Sequence, residues 1–119
     1  MRRAAILVLV LLATGCGVSH EPAKQAEDVH SVAAEGALLA HGAAGGDSTG
    51  TFTQEHAEAL RKLLAPVREA IEDDRLREVA DDVDRTLAEL AAAPDDSRRA
   101  AGAERKLDRL AAAAERVPP

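Results

Sequence analysis

Apolar residues recur at steps of three and four along most of this chain, which is the spacing of a helix with one buried face. The most regular of these stripes comprises Leu60, Leu63, Leu64, Val67 and Ile71. Alanine is abundant between the larger apolar residues and has the highest helix propensity of any residue. We therefore predict an all-α fold with a thin core: a small three-helix bundle, or alternatively a four-helix bundle.

The spacing predicts three helices, at residues 22–43, 53–92 and 95–116, which together form one domain over residues 22–117. Pro22 is well placed to begin the first helix, because the N–H that proline lacks would have no partner in the first helical turn. Nothing in the length or composition indicates a second domain.

The middle helix is compatible with two forms, one continuous and one broken near its centre. From Ile71 to Leu76 the apolar spacing is five residues, which rotates the buried face by roughly 140° beyond one full turn. A break near Asp73 and Asp74 would convert three helices into four of about twenty residues each. Because no glycine or proline marks a turn there, we favour a continuous helix, kinked near Pro66.

Glycines mark the one clear loop, residues 42–50, which we interpret as a flexible connection. It has no Gly-Lys-Ser/Thr sequence, so it does not match a phosphate-binding loop. We expect Phe52, the sole aromatic residue, to plug the core there and Thr53 to cap the next helix. Gly36 and the alanines around it make a slim face on the first helix that permits close approach of another helix, although we favour composition as the explanation of this pattern.

The chain is acidic, with a formal net charge of −6. This balance argues against nucleic acid as a partner, because phosphates are bound by Lys and Arg. Opposite charges four residues apart are expected to pair on exposed helix surfaces. These pairs are Glu58 with Lys62, Asp81 with Arg85, and Asp95 with Arg99.

The sequence offers few residues for chemistry. Glu27 and His30 form a Glu-x-x-His step, which supplies two metal ligands in di-iron bundles, but no second copy is present. His41 lies about three turns from His30, too far to share an ion. His56 is the remaining candidate metal ligand, beside Glu27 and His30. No Gly-x-Ser-x-Gly motif occurs. We therefore predict no catalytic residue, no metal site, no cofactor and no enzyme activity.

The beginning of the chain has the layout of an export signal. Arg2 and Arg3 precede the apolar run 4–13, and small residues follow up to Gly15 and Cys16. The run is too short for a membrane-spanning helix, which needs about 20 apolar residues. Cys16 is the sole cysteine of the chain, so it has no partner for an internal disulfide.

This segment resembles the lipobox of bacterial lipoproteins, in which a lipid is joined to the cysteine and the preceding peptide is removed. It departs from the usual pattern at Ala13, where leucine is commonest. The resemblance implies a signal peptide over residues 1–15, cleaved between Gly15 and Cys16, and a lipidated tether over residues 16–21. Loss of Arg2 and Arg3 with the signal changes the net charge from −6 to −8.

The resemblance also implies a location and a class of function. We expect a lipid anchor that holds the protein to the extracytoplasmic face of the cell membrane. There its acidic helical body would have a structural role or contact other envelope proteins. The alanine-, arginine- and aspartate-rich composition is similar to that of small lipoproteins of actinobacteria. The alternative is a metal- or ligand-binding bundle that uses Glu27 and His30.

Overall fold

The computed structural model describes residues 18–118, and within that range the chain folds into four helices without any strand. The all-α prediction is confirmed in its four-helix form. The helices are α1 (Pro22–Ala44), α2 (Gly50–Ala70), α3 (Asp74–Ala92) and α4 (Ser97–Glu115).

The prediction of a continuous middle helix is wrong, because the helix is interrupted between Ala70 and Asp74. Ile71 is extended, with φ −72° and ψ 123°, and its side chain is 1% exposed. This extended residue lets Ile71 and Leu76 enter the same core despite their spacing of five. Asp73 then caps α3, since its Oδ2 accepts a hydrogen bond from the Leu76 N–H at 2.8 Å. The break is thus marked by an aspartate that caps the start of α3, and not by a glycine or proline.

Each helix lies beside the next one in sequence, and α1 and α4 close the ring with the most extensive contact of all. The loops are short, at residues 45–49, 71–73 and 93–96, as expected for antiparallel neighbours. Helices α1 and α3 also touch across the diagonal of the bundle. The ring of four helices therefore encloses one core.

The core combines a few leucines and valines with many alanines. Its largest fully buried residues come from every helix and from the α2–α3 loop. They are Val29, Leu60, Leu64, Ile71, Leu76, Val83, Leu87, Leu90 and Leu107. Alanines fill most of the remaining buried apolar positions, including Ala33 and Ala40 on α1 and Ala100 and Ala114 on α4. The predicted thin core is thus the one observed.

Gly36 lies where α1 contacts both α3 and α4. A Cβ atom at Gly36 would lie 2.9 Å from Leu87 Cδ2 on α3 and 3.2 Å from Leu107 Cδ1 on α4. Both leucines are fully buried. Gly36 therefore permits close packing of three helices, and its attribution to composition alone is wrong.

The α1–α2 loop differs in detail from its prediction. Helix α2 begins earlier than expected, because Thr49 and not Thr53 is its cap, accepting a hydrogen bond from the Phe52 N–H at 3.1 Å. Gly46 takes φ 75°, a conformation that favours glycine, and turns the chain after α1. Phe52 is 53% exposed, so it does not plug the core. The helix continues through Pro66 without a break.

Two arginines of α2 join it to α3. The Arg61 Nε–H donates to Asp84 at 3.0 Å and the Arg68 Nε–H donates to Asp81 at 2.9 Å, while Arg68 Nη1 also lies 3.3 Å from Asp84. The hydrogen bond that Arg61 donates to Asp84 raises the pKa of the Arg61 guanidinium above its ordinary value, although partial burial opposes the shift. Arg61 is therefore charged under all ordinary conditions.

The predicted pairs four residues apart are not the ones that form in residues 18–118. Pairs three residues apart replace them: Glu58 with Arg61, Asp82 with Arg85, and Asp96 with Arg99. Asp81 and Asp95 have other roles, because Asp81 pairs with Arg68 of α2 and the Asp95 carboxylate covers Gly50 at the start of α2. A negative charge there is favourable to the α2 dipole.

Candidate functional site

The predicted lipidation site and cleavage site, at Cys16 and Gly15, lie outside the described residues. The structure begins just after them, with Val18–Glu21 as a short non-helical lead into α1. The end of the bundle that receives this lead is where the predicted tether would attach.

Gln25 ties the lead to the bundle. Its side chain is buried, with 3% of the residue exposed. The Nε2 group donates one hydrogen bond to the Ser19 carbonyl at 3.0 Å and a second to the Ala70 carbonyl at 3.1 Å. Ala70 is the last residue of α2, where carbonyl groups have no helical partner. One amide therefore joins the lead, the first turns of α1 and the end of α2.

His30 joins α1 to α4 at the same end of the molecule. Its Nδ1 lies 2.9 Å from the Ala111 carbonyl oxygen, and its Nε2 lies 3.3 Å from Glu115 Oε1. Because the carbonyl only accepts, Nδ1 carries the hydrogen of that bond. The ring and Glu115 line a shallow pocket of about 310 Å³ together with Glu27, Ala23, Ala26 and Val117.

The metal candidates do not converge on one point. Glu27 and His30 share the pocket, as their spacing predicts, whereas His56 lies on α2 beside Phe52, with ring centroids 5.5 Å apart. Among residues 18–118 no group of three or more histidine, cysteine, aspartate or glutamate side chains is placed to hold a metal ion. The metal-binding alternative thus gains a pocket but no complete ligand set from the described residues.

His41 repeats the arrangement of His30 further along α1. Its Nδ1 lies 2.9 Å from Glu104 Oε2 on α4. Eleven residues separate His30 from His41, and eleven separate Glu104 from Glu115. Since α1 and α4 run antiparallel, the two spacings match and each histidine meets its own glutamate.

A third feature is an apolar groove between α1 and α2, which we call the α1–α2 groove. Three large apolar side chains stand exposed beside it: Leu38 at 73%, Phe52 at 53% and Leu63 at 62%. Its remaining lining residues are Asp28, Ser31, Val32, Glu35, Leu39, Ser48, His56 and Val67. No arginine or lysine is among the residues that line it.

The sequence prediction missed Gln25, Glu104 and Glu115. The equal eleven-residue spacing of the histidines and glutamates was a usable signal for two antiparallel helices in contact. Gln25 had no such signal, because its partners are backbone carbonyls, one of them 45 residues away. The sequence prediction also missed the α1–α2 groove, because Leu63 belongs to the apolar stripe from which the core was predicted.

The described residues define an acidic four-helix bundle in which His30 and His41 bridge α1 and α4. Comparison with family models, with curated proteins and with solved structures finds no match to the chain. Within residues 18–118, none of the helices is both long enough and apolar enough to cross a membrane.

Proposed function

We propose that this protein is a small, non-enzymatic lipoprotein, held at the extracytoplasmic face of the cell membrane by lipid on Cys16. The observation that carries the proposal is the order of residues at the start of the chain. Two arginines, a ten-residue apolar run and small residues lead to a single cysteine directly after Gly15. A diacylglyceryl group on that cysteine would supply two acyl chains, which is enough for lasting attachment.

The contacts of the lead fit this role. Ser19 is only three residues from Cys16, and Gln25 binds its carbonyl to the bundle. Lipid on Cys16 would therefore hold the body close to the membrane, with the start of α1 and the end of α2 nearest the lipid. The acidic charge makes adhesion to anionic lipid unfavourable, so attachment would depend on the acyl chains.

The body supports a role in contact with other proteins or in the structure of the envelope. Charged side chains of the body form ion pairs between its own helices, from α2 to α3 and from α1 to α4. The exposed apolar side chains of the α1–α2 groove are a surface that a protein partner would bury.

Replacement of Cys16 by serine tests the anchor. With Cys16→Ser we expect loss of cleavage after Gly15 and loss of the added acyl mass, measured by intact mass spectrometry of the membrane fraction. Cys16→Ser combined with Ser19→Cys is the control, because it restores a thiol that does not follow Gly15. Normal cleavage and retention of the Cys16→Ser protein would refute the proposal.

A further inference from the structure

We propose that the α1–α2 groove is a docking site for a short amphipathic helix with basic flanks, supplied by another protein. This inference rests on the proposed interaction role and identifies the surface and the chemistry of the partner. Leu38, Phe52 and Leu63 supply its apolar contact area, and Glu35 on α1 supplies its charge.

The three exposed residues are spread along the α1–α2 groove, with Leu38 and Phe52 at one of its two pockets and Leu63 at the other. Phe52 and Leu63 lie eleven residues apart on α2, about three helical turns, and so share a face. Ala59 and Pro66 are exposed on that face as well. Leu38 borders it from α1 and lines the same pocket as Phe52. An apolar strip along two parallel ridges matches the way an amphipathic helix binds in a groove.

The charge of the groove selects a basic occupant. Glu35 lines both pockets of the groove and makes no ion pair among residues 18–118. Asp28 also lines it, but Lys24 lies 3.2 Å from its carboxylate and offsets its charge. No arginine or lysine lines the groove itself to compete for Glu35. A lysine or arginine beside the apolar face of a partner helix would therefore find Glu35 unpaired.

A second copy of this chain fits the groove less well. Two grooves placed face to face would bring Glu35 near its own counterpart, and the whole body is acidic. A lipid surface is disfavoured by Glu35, because anionic headgroups repel it.

The test uses a fluorescent 14-residue helical peptide of leucine and lysine, with all leucines on one face. The full chain is purified in detergent micelles, and protein-free micelles provide the blank. We expect saturable binding above the blank, measured by fluorescence anisotropy. The same peptide with glutamate in place of lysine should bind at least tenfold more weakly.

Variants locate the binding. Leu38→Gln with Leu63→Gln removes apolar contact without adding charge and should weaken binding at least tenfold. Both residues are exposed, and glutamine is nearly as good a helix former as leucine, so the fold is retained; far-ultraviolet circular dichroism checks this. Glu35→Lys should weaken binding several-fold, whereas Glu78→Lys, the same change on the exposed surface of α3, should weaken it less.

Several outcomes overturn the proposal: no saturable binding, equal binding by the double leucine variant, or equal effects of the two glutamate variants. A dimer that dissociates in the double leucine variant, without peptide binding, would assign the groove to a second copy instead. None of these outcomes bears on the anchor, which the Cys16→Ser experiment tests separately.

Discussion

Gln25 is one of three buried polar side chains in residues 18–118, with Thr53 and Thr86. Its two hydrogen bonds serve carbonyl groups of Ser19 and Ala70 that no backbone N–H reaches in the described contacts. The side chain therefore stabilises a helix end and a segment outside the helices together.

Replacement of Gln25 by alanine should lower the free energy of unfolding by about 2 kcal/mol, because two carbonyl groups lose their donor and a buried side chain is removed. Urea unfolding followed by circular dichroism measures the loss. Gln54→Ala is the matched control, since Gln54 is exposed on α2. Equal stability of the two variants would show that the Gln25 bonds contribute little.

Thr53 presents the opposite case, a buried hydroxyl without a partner in the described residues. Thr53→Val should raise the free energy of unfolding by about 1 kcal/mol, because an unsatisfied polar atom is replaced by a methyl group of similar size. Thr86→Val is the comparison, since the Thr86 hydroxyl donates to the Asp82 carbonyl at 2.8 Å. A higher thermal midpoint for the Thr86 variant than for the Thr53 variant would contradict this account.

At the scale of elements, the Asp73 cap is one half of the break that gives the bundle four helices. Its cap on α3 satisfies an N–H group that a continuous helix would have bonded to a carbonyl of the preceding turn. The buried, extended Ile71 is the second half of this break.

Loss of this cap should destabilise the protein. Asp73→Ala is expected to lower the free energy of unfolding by about 1 kcal/mol, measured by urea unfolding. Asp74→Ala is the control, because Asp74 lies within the first turn of α3 and makes no cap hydrogen bond. It loses a favourable dipole contact but gains helix propensity, so its net change should be small. A larger loss for Asp74→Ala would place the cap elsewhere.

The outer helix bounds followed from local signals in the sequence. Pro22 begins α1 as predicted, and the last helix ends one residue from its predicted end. The break at residues 71–73 did not follow, because it depends on burial of Ile71 against other helices, which local propensity does not report. The same limit applies to the cap of α2, which was predicted at Thr53 and is formed by Thr49, because the loop is shorter than predicted.

At the scale of the whole molecule, Gly36 and Gly102 separate packing from helix propensity. Gly102 lies on α4 with only Arg105 Nη2 near the position of a Cβ atom, at 3.9 Å, whereas Gly36 faces two buried leucines. The two positions are both helical, so alanine brings the same intrinsic gain to each.

Gly102→Ala should therefore raise the free energy of unfolding by about 0.5–1 kcal/mol. The free energy of unfolding of Gly36→Ala should be about 1–3 kcal/mol lower than that of Gly102→Ala, because the added methyl group overfills the contact with Leu87 and Leu107. Thermal unfolding of both variants in one buffer gives the comparison. Equal gains would mean that the three helices do not meet as closely as described.

The histidine–glutamate pairs also have a consequence for how the first and last helices align. Alanines make up most of the buried apolar residues of α1 and α4, and small side chains offer few ridges to stop one helix from sliding along the other. A slip of one turn, about 5.4 Å, would part His30 from Glu115 and His41 from Glu104 simultaneously. The two partly exposed pairs thus add a modest preference for the register that the close fit of Leu107 against Gly36 already favours.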